Sequence, residues 1–270
     1  MSTSGLMKGK RGLIMGVANS HSIDWGIAEA LHKAGAELAF TYMGETFKKR
    51  VEPLVAPLNP VAVIDCDVTQ QGSIDNAFAE LKKKWDSIDF LVHAIALSDK
   101  NQLQGRYIDT TPENFHMTMN ISAYSFTAVA QRAEKMMTNG GSMVTLTYYG
   151  AEKVMPHYKV MGVAKAALEA TVRYMAEDLG KQNIRVNSIS AGPIKTLSFA
   201  GIADSRYILK WNEYNSPLRR AVSIEEVGNT ALYLLSDLGS AVTGENIHVD
   251  AGYHVVGMKA VDAPDIGVVK

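Results

Sequence analysis

Seven short apolar runs alternate along the chain with stretches in which apolar residues recur every three or four positions. The runs are nearly continuous in apolar residues, which is typical of strands covered on both faces of a sheet. In chain order they are GLIMGV, AELAFTY, PVAVIDCDV, IDFLVHAIA, SMVTLTY, IRVNSISAG and ENIHVDAG. Strands that alternate with helices are joined by right-handed crossovers. The pattern therefore predicts an α/β fold, a Rossmann-type doubly wound parallel sheet of about seven strands flanked by helices.

Local signals mark where several of the intervening helices begin and end. Gly35 follows the first helical pattern and suits its carboxyl-terminal cap. Thr111 followed by Pro112 predicts a capped start with proline in the first turn. Ser223 and Glu226 have the spacing of a capping box.

One segment, residues 194–220, does not fit the alternation of strands and helices. It mixes aromatic, aliphatic and charged residues and favours short helices. We expect a substrate-binding lid here, with an oligomer contact or a packing flap as the alternative. No linker rich in proline or glycine divides the chain, so we expect one dinucleotide-binding catalytic domain over residues 1–270.

The amino-acid composition limits the classes of binding partner that we expect. The chain has 27 basic and 28 acidic residues, which gives no electrostatic reason to expect nucleic acid or an anionic membrane. Cys66 is the only cysteine, so no internal disulfide is possible. No apolar run approaches the roughly 20 residues of a membrane span, and no His, Cys, Asp and Glu grouping has metal-ligand spacing. We expect a cytoplasmic protein without metal.

The segment GVANSHSIDWGIA follows the first predicted strand, where a parallel sheet presents its ligand-binding edge. Gly16 can supply a sharp turn, Ser22 can cap the helix or donate to a phosphate, and Gly26 can allow close packing of helix on sheet. The dense glycine fingerprint of dinucleotide sites is absent. An ordinary strand–turn–helix is therefore the alternative for this loop.

Tyr158 and Lys165 lie seven residues apart in a helical pattern and project from one face. An ammonium group near a phenol favours the phenolate, so we expect Lys165 to lower the pKa of Tyr158. Such pairs also arise by chance. His93, by contrast, lies inside an apolar strand, and we expect a hydrogen-bonded core histidine.

Taken together, these residues resemble the short-chain dehydrogenase/reductase superfamily and, within it, the bacterial enoyl-acyl-carrier-protein reductases. The resemblance runs from about Gly5 to about Met258 and rests on GVANSHSIDWGIA, CDV, TYYGAEKVMPHYKVMGVAKAALEA, RVNSISAGPIKTL and TGENIHVDAGY. Carbonyl-reducing members usually carry a serine thirteen residues before the active tyrosine, and this chain has Thr145. Tyr148 stands where the enoyl reductases place an aromatic residue over the site.

The resemblance implies roles for individual residues. Tyr158 would hydrogen-bond the thioester carbonyl oxygen, Lys165 would hold the nicotinamide ribose, and Tyr148 and Ser98 would lie beside the substrate. The implied cofactor contacts are Gly16, Ser22 and Ile23 at the pyrophosphate, Met43, Asp67 and Val68 near the adenine, Ile95 at the ribose and ring, and Ile194, Thr196, Leu197 and Ser198 at the nicotinamide amide and diphosphate.

The implied reaction is reduction of the trans-2 double bond of an enoyl thioester carried by acyl carrier protein. No cation directly follows the second strand, so NADH is expected rather than NADPH. A homotetramer is the usual assembly of the superfamily, and Tyr124, Phe126 and Tyr174 suit such packing. The alternatives are a 3-oxoacyl-thioester reductase on the same scaffold, or a regulator that binds NAD(P) without catalysis.

Overall fold

The computed structural model describes residues 4–196, 199 and 203–267, and it contains the seven predicted strands. The strands are β1 (Arg11–Met15), β2 (Glu37–Tyr42), β3 (Ala62–Asp65), β4 (Phe90–His93), β5 (Gly141–Thr147), β6 (Ile184–Ala191) and β7 (Asn246–Val249). The α-helices are α1 (Ile23–Lys33), α2 (Gly44–Val55), α3 (Gln71–Lys82), α4 (Pro112–Met119), α5 (Ser125–Ala133), α6 (Lys159–Gly180), α7 (Ser205–Asn215) and α8 (Ile224–Leu235).

The strands form one parallel sheet in the order β3-β2-β1-β4-β5-β6-β7. Strand order reverses between β1 and β4, which are neighbours in the sheet. This is the order of a doubly wound dinucleotide-binding fold, and it opens a crevice beyond the carboxyl ends of these two strands. The predicted fold class is confirmed.

Each face of the sheet is covered by helices. Buried side chains of α3, α5 and α6 pack on one face, and those of α1, α2 and α8 pack on the other. Alternate residues of β1 enter different layers: Leu13 and Met15 join the first, and Ile14 joins the second. Phe126, expected at an interface between subunits, is fully buried in the first layer.

The predicted helix ends are confirmed. Gly35 has a φ of 97° and directly follows Ala34, the carboxyl-terminal cap of α1. The Thr111 side chain accepts a hydrogen bond from the backbone amide of Asn114, and the Ser223–Glu226 capping box is complete. No helix within the described ranges is long and apolar enough to cross a membrane.

Candidate functional site

The loop between β1 and α1 is shaped by Gly16. This residue has a φ of +120°, and a Cβ atom here would lie 2.3 Å from the carbonyl oxygen of Ala94, just after β4. Only glycine fits both the conformation and the space. The loop therefore packs directly against the backbone that follows β4.

Ser22 closes this loop on itself and does not cap α1, which was one of the two roles predicted for it. Its Oγ accepts hydrogen bonds from the amides of Ala18 and Asn19, at 3.3 and 3.2 Å. It stands at the N-cap position without a side-chain capping bond. The amino-terminal end of α1, with its positive dipole, consequently faces the crevice without a capping side chain over it.

Gly26 has a different role from the predicted one. A Cβ atom on it would lie 2.4 Å from the carbonyl oxygen of Ile224, and one on Gly228 would lie 2.4 Å from the carbonyl oxygen of Gly26. The contact is therefore between the backbones of α1 and α8 and not between α1 and the sheet. This backbone contact with α8 positions the first turns of α1.

Asp24 is a site residue that sequence reasoning missed. Its side chain is 3% exposed in the first turn of α1, and its Oδ2 has no hydrogen-bond partner among the described residues. Burial raises the pKa of this carboxyl to about 7, although the amides of Asp24 and Trp25 and the Ser22 hydroxyl favour its ionised form. An acidic residue in a first helical turn is usually solvated and interacts with the helix dipole, so its burial could not be predicted from the sequence.

Two tyrosines meet at the carboxyl end of β5. Tyr148 directly follows the strand, and Tyr158 directly precedes α6. Their ring centroids are 5.0 Å apart with an interplanar angle of 78°, an edge-to-face arrangement. The Tyr148 hydroxyl is buried and has no hydrogen-bond partner within the described chain. It is a donor available to a ligand.

The Tyr158 side chain is held by its backbone and by two glycines. His157 and Lys159, on either side, have φ values of 56° and 42°, a conformation that is strained for residues with side chains. A Cβ atom on Gly150 would lie 2.3 Å from Cδ1 of the Tyr158 ring, and one on Gly162 would lie 2.6 Å from the Gly150 carbonyl oxygen. Tyr158 is thus fixed at the N-cap of α6, just outside the helix that was predicted to contain it.

Lys165 lies two turns into α6, where its ammonium group donates a 2.8 Å hydrogen bond to the carbonyl oxygen of Leu146 in β5. Burial lowers the pKa of Lys165 to about 8. The pKa of Tyr158 is raised by burial first, and then by Tyr148 and Glu169. The expectation that Lys165 lowers the tyrosine pKa is therefore wrong for this geometry, because the ammonium is bonded to backbone while the phenol is buried.

A small apolar cluster lines the region around Tyr158. It contains the buried side chains of Leu103, Val160 and Met161, and Phe115, Tyr148 and Met155 pack against it. It is separate from the two layers of the core. Such a lining suits an aliphatic chain rather than a charged substrate.

His93 is a hydrogen-bonded core histidine, as predicted. It is fully buried at the end of β4, with Nε2 2.8 Å from the Ser125 hydroxyl and Nδ1 3.3 Å from the Thr145 hydroxyl. Burial lowers its pKa to about 3. Thr145 in turn donates to the carbonyl oxygen of His93 at 3.0 Å. The Thr145 hydroxyl is thus used within the sheet and does not enter the crevice.

The remaining predicted residues lie around the same sheet edge. Val68 is buried, Ile95 is partly buried, and Met43 is half exposed at the start of α2. The Asp67 carboxylate accepts two hydrogen bonds from Thr69, and the Ser98 hydroxyl is buried against Asn114 and Thr118. Ile23 opens α1.

Asp65 was also missed. It ends β3, and its carboxylate accepts a 2.8 Å hydrogen bond from the amide of Gly44 at the start of α2. An acidic group here stands where a 2′-phosphate would need a cation. The signal was present in the sequence as the first aspartate of DCDV.

A cleft of about 490 Å³ runs between the β1–α1 loop and the predicted lid. Its lining includes Asn19 and His21 from the loop, and Lys195, Thr196 and Arg206 from the other side. The two cations are further residues that sequence reasoning missed. Ile194 accepts a 2.7 Å hydrogen bond from the amide of Thr196, and the predicted Leu197 and Ser198 lie outside the described residues.

Comparisons with known proteins identify the family of the chain. A family model described as enoyl-(acyl carrier protein) reductase matches residues 16–254. The chain is 69% identical over 267 residues to enoyl-(acyl-carrier-protein) reductase (NADH) 1 of Rhizobium meliloti (strain 1021), covering 99% of this chain and 98% of the relative. It is 53% identical to the corresponding NADH enzyme of Rickettsia prowazekii (strain Madrid E), covering 94% of this chain and 98% of that one.

A solved structure is similarly close. The enoyl-(acyl-carrier-protein) reductase of Anaplasma phagocytophilum, crystallised with NAD, superposes with a TM-score of 0.93 at 60% identity. The match covers 98% of this chain and 100% of that one.

Proposed function

Since the chain belongs to the enoyl-acyl-carrier-protein reductase family, we propose that the sheet edge described above is its active site, with Tyr148, Tyr158 and Lys165 as the catalytic residues. The protein is an NADH-dependent oxidoreductase. It reduces the trans-2 double bond of enoyl thioesters in the elongation cycle of type II fatty acid synthesis. The observation that carries the residue assignment is the edge-to-face pair of tyrosines beside a buried lysine, within an apolar lining.

The residues around the crevice fit a dinucleotide. Gly16 leaves no room for a side chain at the turn, which allows a pyrophosphate to approach the backbone, and the first turn of α1 supplies a positive dipole end. Lys195 and Arg206 border the same cleft. We propose that Gly16, Ser22 and Ile23 hold the pyrophosphate, and that Met43, Asp67 and Val68 border the adenine.

The other end of the cofactor lies beside Lys165 in this proposal. A lysine ammonium has three donors, and the hydrogen bond to Leu146 uses one of them. The other two can bind the hydroxyls of the nicotinamide ribose, with Ile95 alongside. Ile194, Thr196, Leu197 and Ser198 would cover the nicotinamide amide and the diphosphate. When bound, NADH supplies the hydride that reduces C3 of the enoyl chain.

Tyr158 stabilises the charge that develops on the thioester oxygen as the substrate becomes an enolate. Because burial raises the pKa of Tyr158, its hydroxyl stays protonated and donates a hydrogen bond at neutral pH. Its fixed backbone means that little reorganisation is needed during the reaction. Tyr148, whose hydroxyl has no hydrogen-bond partner among the described residues, orients the substrate, and Ser98 lies alongside.

The assembly and partners follow from the same function. We propose that acyl carrier protein delivers the substrate, that the enzyme acts in the cytoplasm as a homotetramer, and that residues 1–270 form one catalytic domain whose lid is the segment 194–220. Nucleic acid, membrane and metal have no part in this proposal.

A substrate comparison tests the function. The purified chain is expected to oxidise NADH with crotonyl thioester and to be nearly inactive with acetoacetyl thioester. The buried Thr145 hydroxyl, bonded to His93, supports this preference over carbonyl reduction. Faster reaction with acetoacetyl thioester would indicate the carbonyl reductase, and binding of NADH without turnover of either thioester would indicate the regulator.

A further inference from the structure

The carboxyl group of Asp24 borders the glycine turn of the cofactor site and is withdrawn from water. A Cβ atom on Gly16 would lie 2.9 Å from its Oδ2, the oxygen that lacks a hydrogen-bond partner within the described chain. The group also sits in the first turn of an 11-residue helix, where the dipole attracts one negative charge. A buried acid and a pyrophosphate would therefore compete for the same end of α1.

We propose that Asp24 takes up a proton when the dinucleotide binds, so that cofactor affinity in this protein is coupled to pH. The proposal rests on the function given above. The pyrophosphate remains ionised near neutral pH, and a carboxylate buried next to it would be repelled. Neutralising Asp24 relieves the repulsion: an O–H bond forms on the carboxyl, its proton comes from the buffer, and no other bond changes.

The hydrogen-bond arrangement of the loop supports this role. The Ser22 oxygen already accepts from the amides of Ala18 and Asn19, so its own hydroxyl proton is free to turn either to Asp24 or to a ligand. Without ligand, the Ser22 hydroxyl favours ionised Asp24. When that hydroxyl turns to a phosphate, the carboxylate loses this support. Both changes favour the protonated acid.

Within the part of the chain that the structure describes, no other charged group offsets the charge of the Asp24 carboxylate. The pKa of Asp24 is raised by burial. It is lowered by hydrogen bonds from the backbone amides of Asp24 and Trp25 and from the Ser22 hydroxyl. The titratable groups on the surrounding elements of the described structure do not contribute: Glu29 on α1, His21 in the loop, His93 on β4, and Glu225 and Glu226 on α8. Arg11 and Glu37 lie at the amino-terminal ends of β1 and β2, at the sheet edge away from Asp24. Lys195 and Arg206 line the cleft.

Since the acid of the free protein titrates at about 7, proton uptake is expected mainly above that pH. There the free protein holds ionised Asp24 and the complex holds the neutral acid. Affinity for NADH is then expected to fall by up to about tenfold for each pH unit above this value. Below about pH 6 the acid is already protonated and affinity should be nearly independent of pH.

Isothermal titration calorimetry of the full chain with NADH measures the uptake directly. At about pH 8, titrations in HEPES and in Tris differ in enthalpy by the number of protons taken up times the difference in buffer ionisation enthalpy. The wild-type protein is expected to take up most of one proton, and Asp24→Asn none. Glu29→Gln removes one charge from the same helix and is expected to behave as the wild type.

The possible results distinguish failure of the proposed role of Asp24 from failure of the proposed enzymatic function. NADH binding with no proton uptake by the wild type would overturn the role of Asp24 and leave the enzyme assignment intact. Uptake that persists in Asp24→Asn but disappears in His21→Asn would also overturn it. Because the wild-type count needs no variant, poor folding of Asp24→Asn would not prevent a decision. Absence of any NADH binding would overturn both.

Discussion

At the scale of single residues, the proposed active site depends on side chains that burial keeps neutral or without a hydrogen-bond partner. Tyr158 keeps its proton, the Tyr148 hydroxyl has no partner among the described residues, and Asp24 has an unpartnered oxygen. Each of these costs stability when no ligand is bound. Their concentration at one sheet edge marks it as a binding site.

Replacing Tyr158 by phenylalanine removes the hydroxyl while keeping the ring that Gly150 encloses. Because one preorganised donor is lost, turnover of crotonyl thioester should fall about a hundredfold or more, with NADH affinity nearly unchanged. Steady-state kinetics and fluorescence titration with NADH measure the two quantities. Tyr149→Phe is the control, since its hydroxyl donates to the carbonyl oxygen of His254 and should affect stability only. Full turnover by Tyr158→Phe would refute the role.

Asp24 also has a consequence for folding stability. Its pKa is raised from 3.8 to about 7 in the folded protein, so the unfolded chain ionises first as pH rises. The contribution of Asp24 to the free energy of unfolding is therefore fully present below about pH 4, declines with rising pH, and levels off above about 7, with a loss of about 4 kcal/mol at most.

Asp24→Asn lacks this dependence. The free energy of unfolding of this variant, relative to that of the wild type, should be higher at about pH 8 than at about pH 5. Urea unfolding at the two pH values measures the difference. Any hydrogen bond lost with the carboxylate lowers both measurements alike. A stability difference that is the same at both pH values would contradict the expectation, and Glu29→Gln should show no such change.

At the scale of elements, the start of α1 is positioned by α8. The backbones of the two helices touch at Gly26 and Gly228, where no side chain fits. Close helix contacts of this kind leave little room for adjustment, because the obstructing atoms belong to the main chain.

Gly26→Ala should therefore destabilise the protein by about 2 kcal/mol and weaken NADH binding, since the new methyl group pushes α1 away from Ile224. Thermal unfolding and NADH titration measure both effects. Gly72→Ala is the matched control: Gly72 lies in α3 with open space around it, so this substitution should be neutral or stabilising by up to about 1 kcal/mol. Equal behaviour of the two variants would count against the proposed contact.

A second link between elements runs through His93. Ser125 donates a 2.6 Å hydrogen bond to the carbonyl oxygen of Ile121, in the π-helical turn Asn120–Tyr124. The Ser125 oxygen can then only accept from the ring of His93. A neutral imidazole carries one N–H, and the low pKa of His93 excludes the charged form at neutral pH.

We therefore expect the Nε2–H tautomer of His93, with Thr145 sharing its proton between Nδ1 and the His93 carbonyl oxygen. Nitrogen-15 NMR of the histidine side chains at neutral pH distinguishes the two tautomers, with His93→Gln identifying the resonance. The signal should not titrate between about pH 5 and 8. An Nδ1–H tautomer, or a charged ring, would contradict the assignment.

At the scale of the whole molecule, the sheet was predictable because each buried parallel strand is a short apolar run bounded by polar loops. The cap at Thr111 and the capping box at Ser223 are likewise local, and local signals are readable in sequence. The role of Gly26 was not predictable, because its contact residue Ile224 lies about 200 residues away in the sequence. Contacts of that range leave no periodicity in the chain.

The site was predictable to a similar depth. The spacing of Tyr158 and Lys165 and the resemblance that points to Tyr148 were readable in the sequence. The pKa shifts of these side chains were not. The pKa of Tyr158 depends on burial from several elements, and the strained φ values of His157 and Lys159 are imposed by tertiary packing. Asp24 was missed for the same reason: its burial arises only when the β1–α1 loop meets the end of β4.

Two exposed tyrosines mark a surface that could form a contact between subunits. Tyr174 on α6 is 77% exposed and Tyr124 is 47% exposed. As a homotetramer, the protein should have four times its chain mass of 29.3 kDa by light scattering. Tyr174→Arg places a charge in the proposed subunit contact and should reduce the mass, whereas Glu80→Arg, exposed on α3, tests the effect of charge alone. A tetramer that survives Tyr174→Arg would exclude this face.

The contact between α1 and α8 also has a consequence for synthesis of the chain on the ribosome. The cofactor loop is made within the first thirty or so residues, yet the helix that supports it is completed only at Leu235. The nucleotide site can therefore not mature as its own segment emerges, and the amino-terminal strand–helix unit must wait for nearly the whole chain. A truncated product released early would carry the phosphate-binding sequence without a finished site, so incomplete copies of this enzyme should not sequester cofactor.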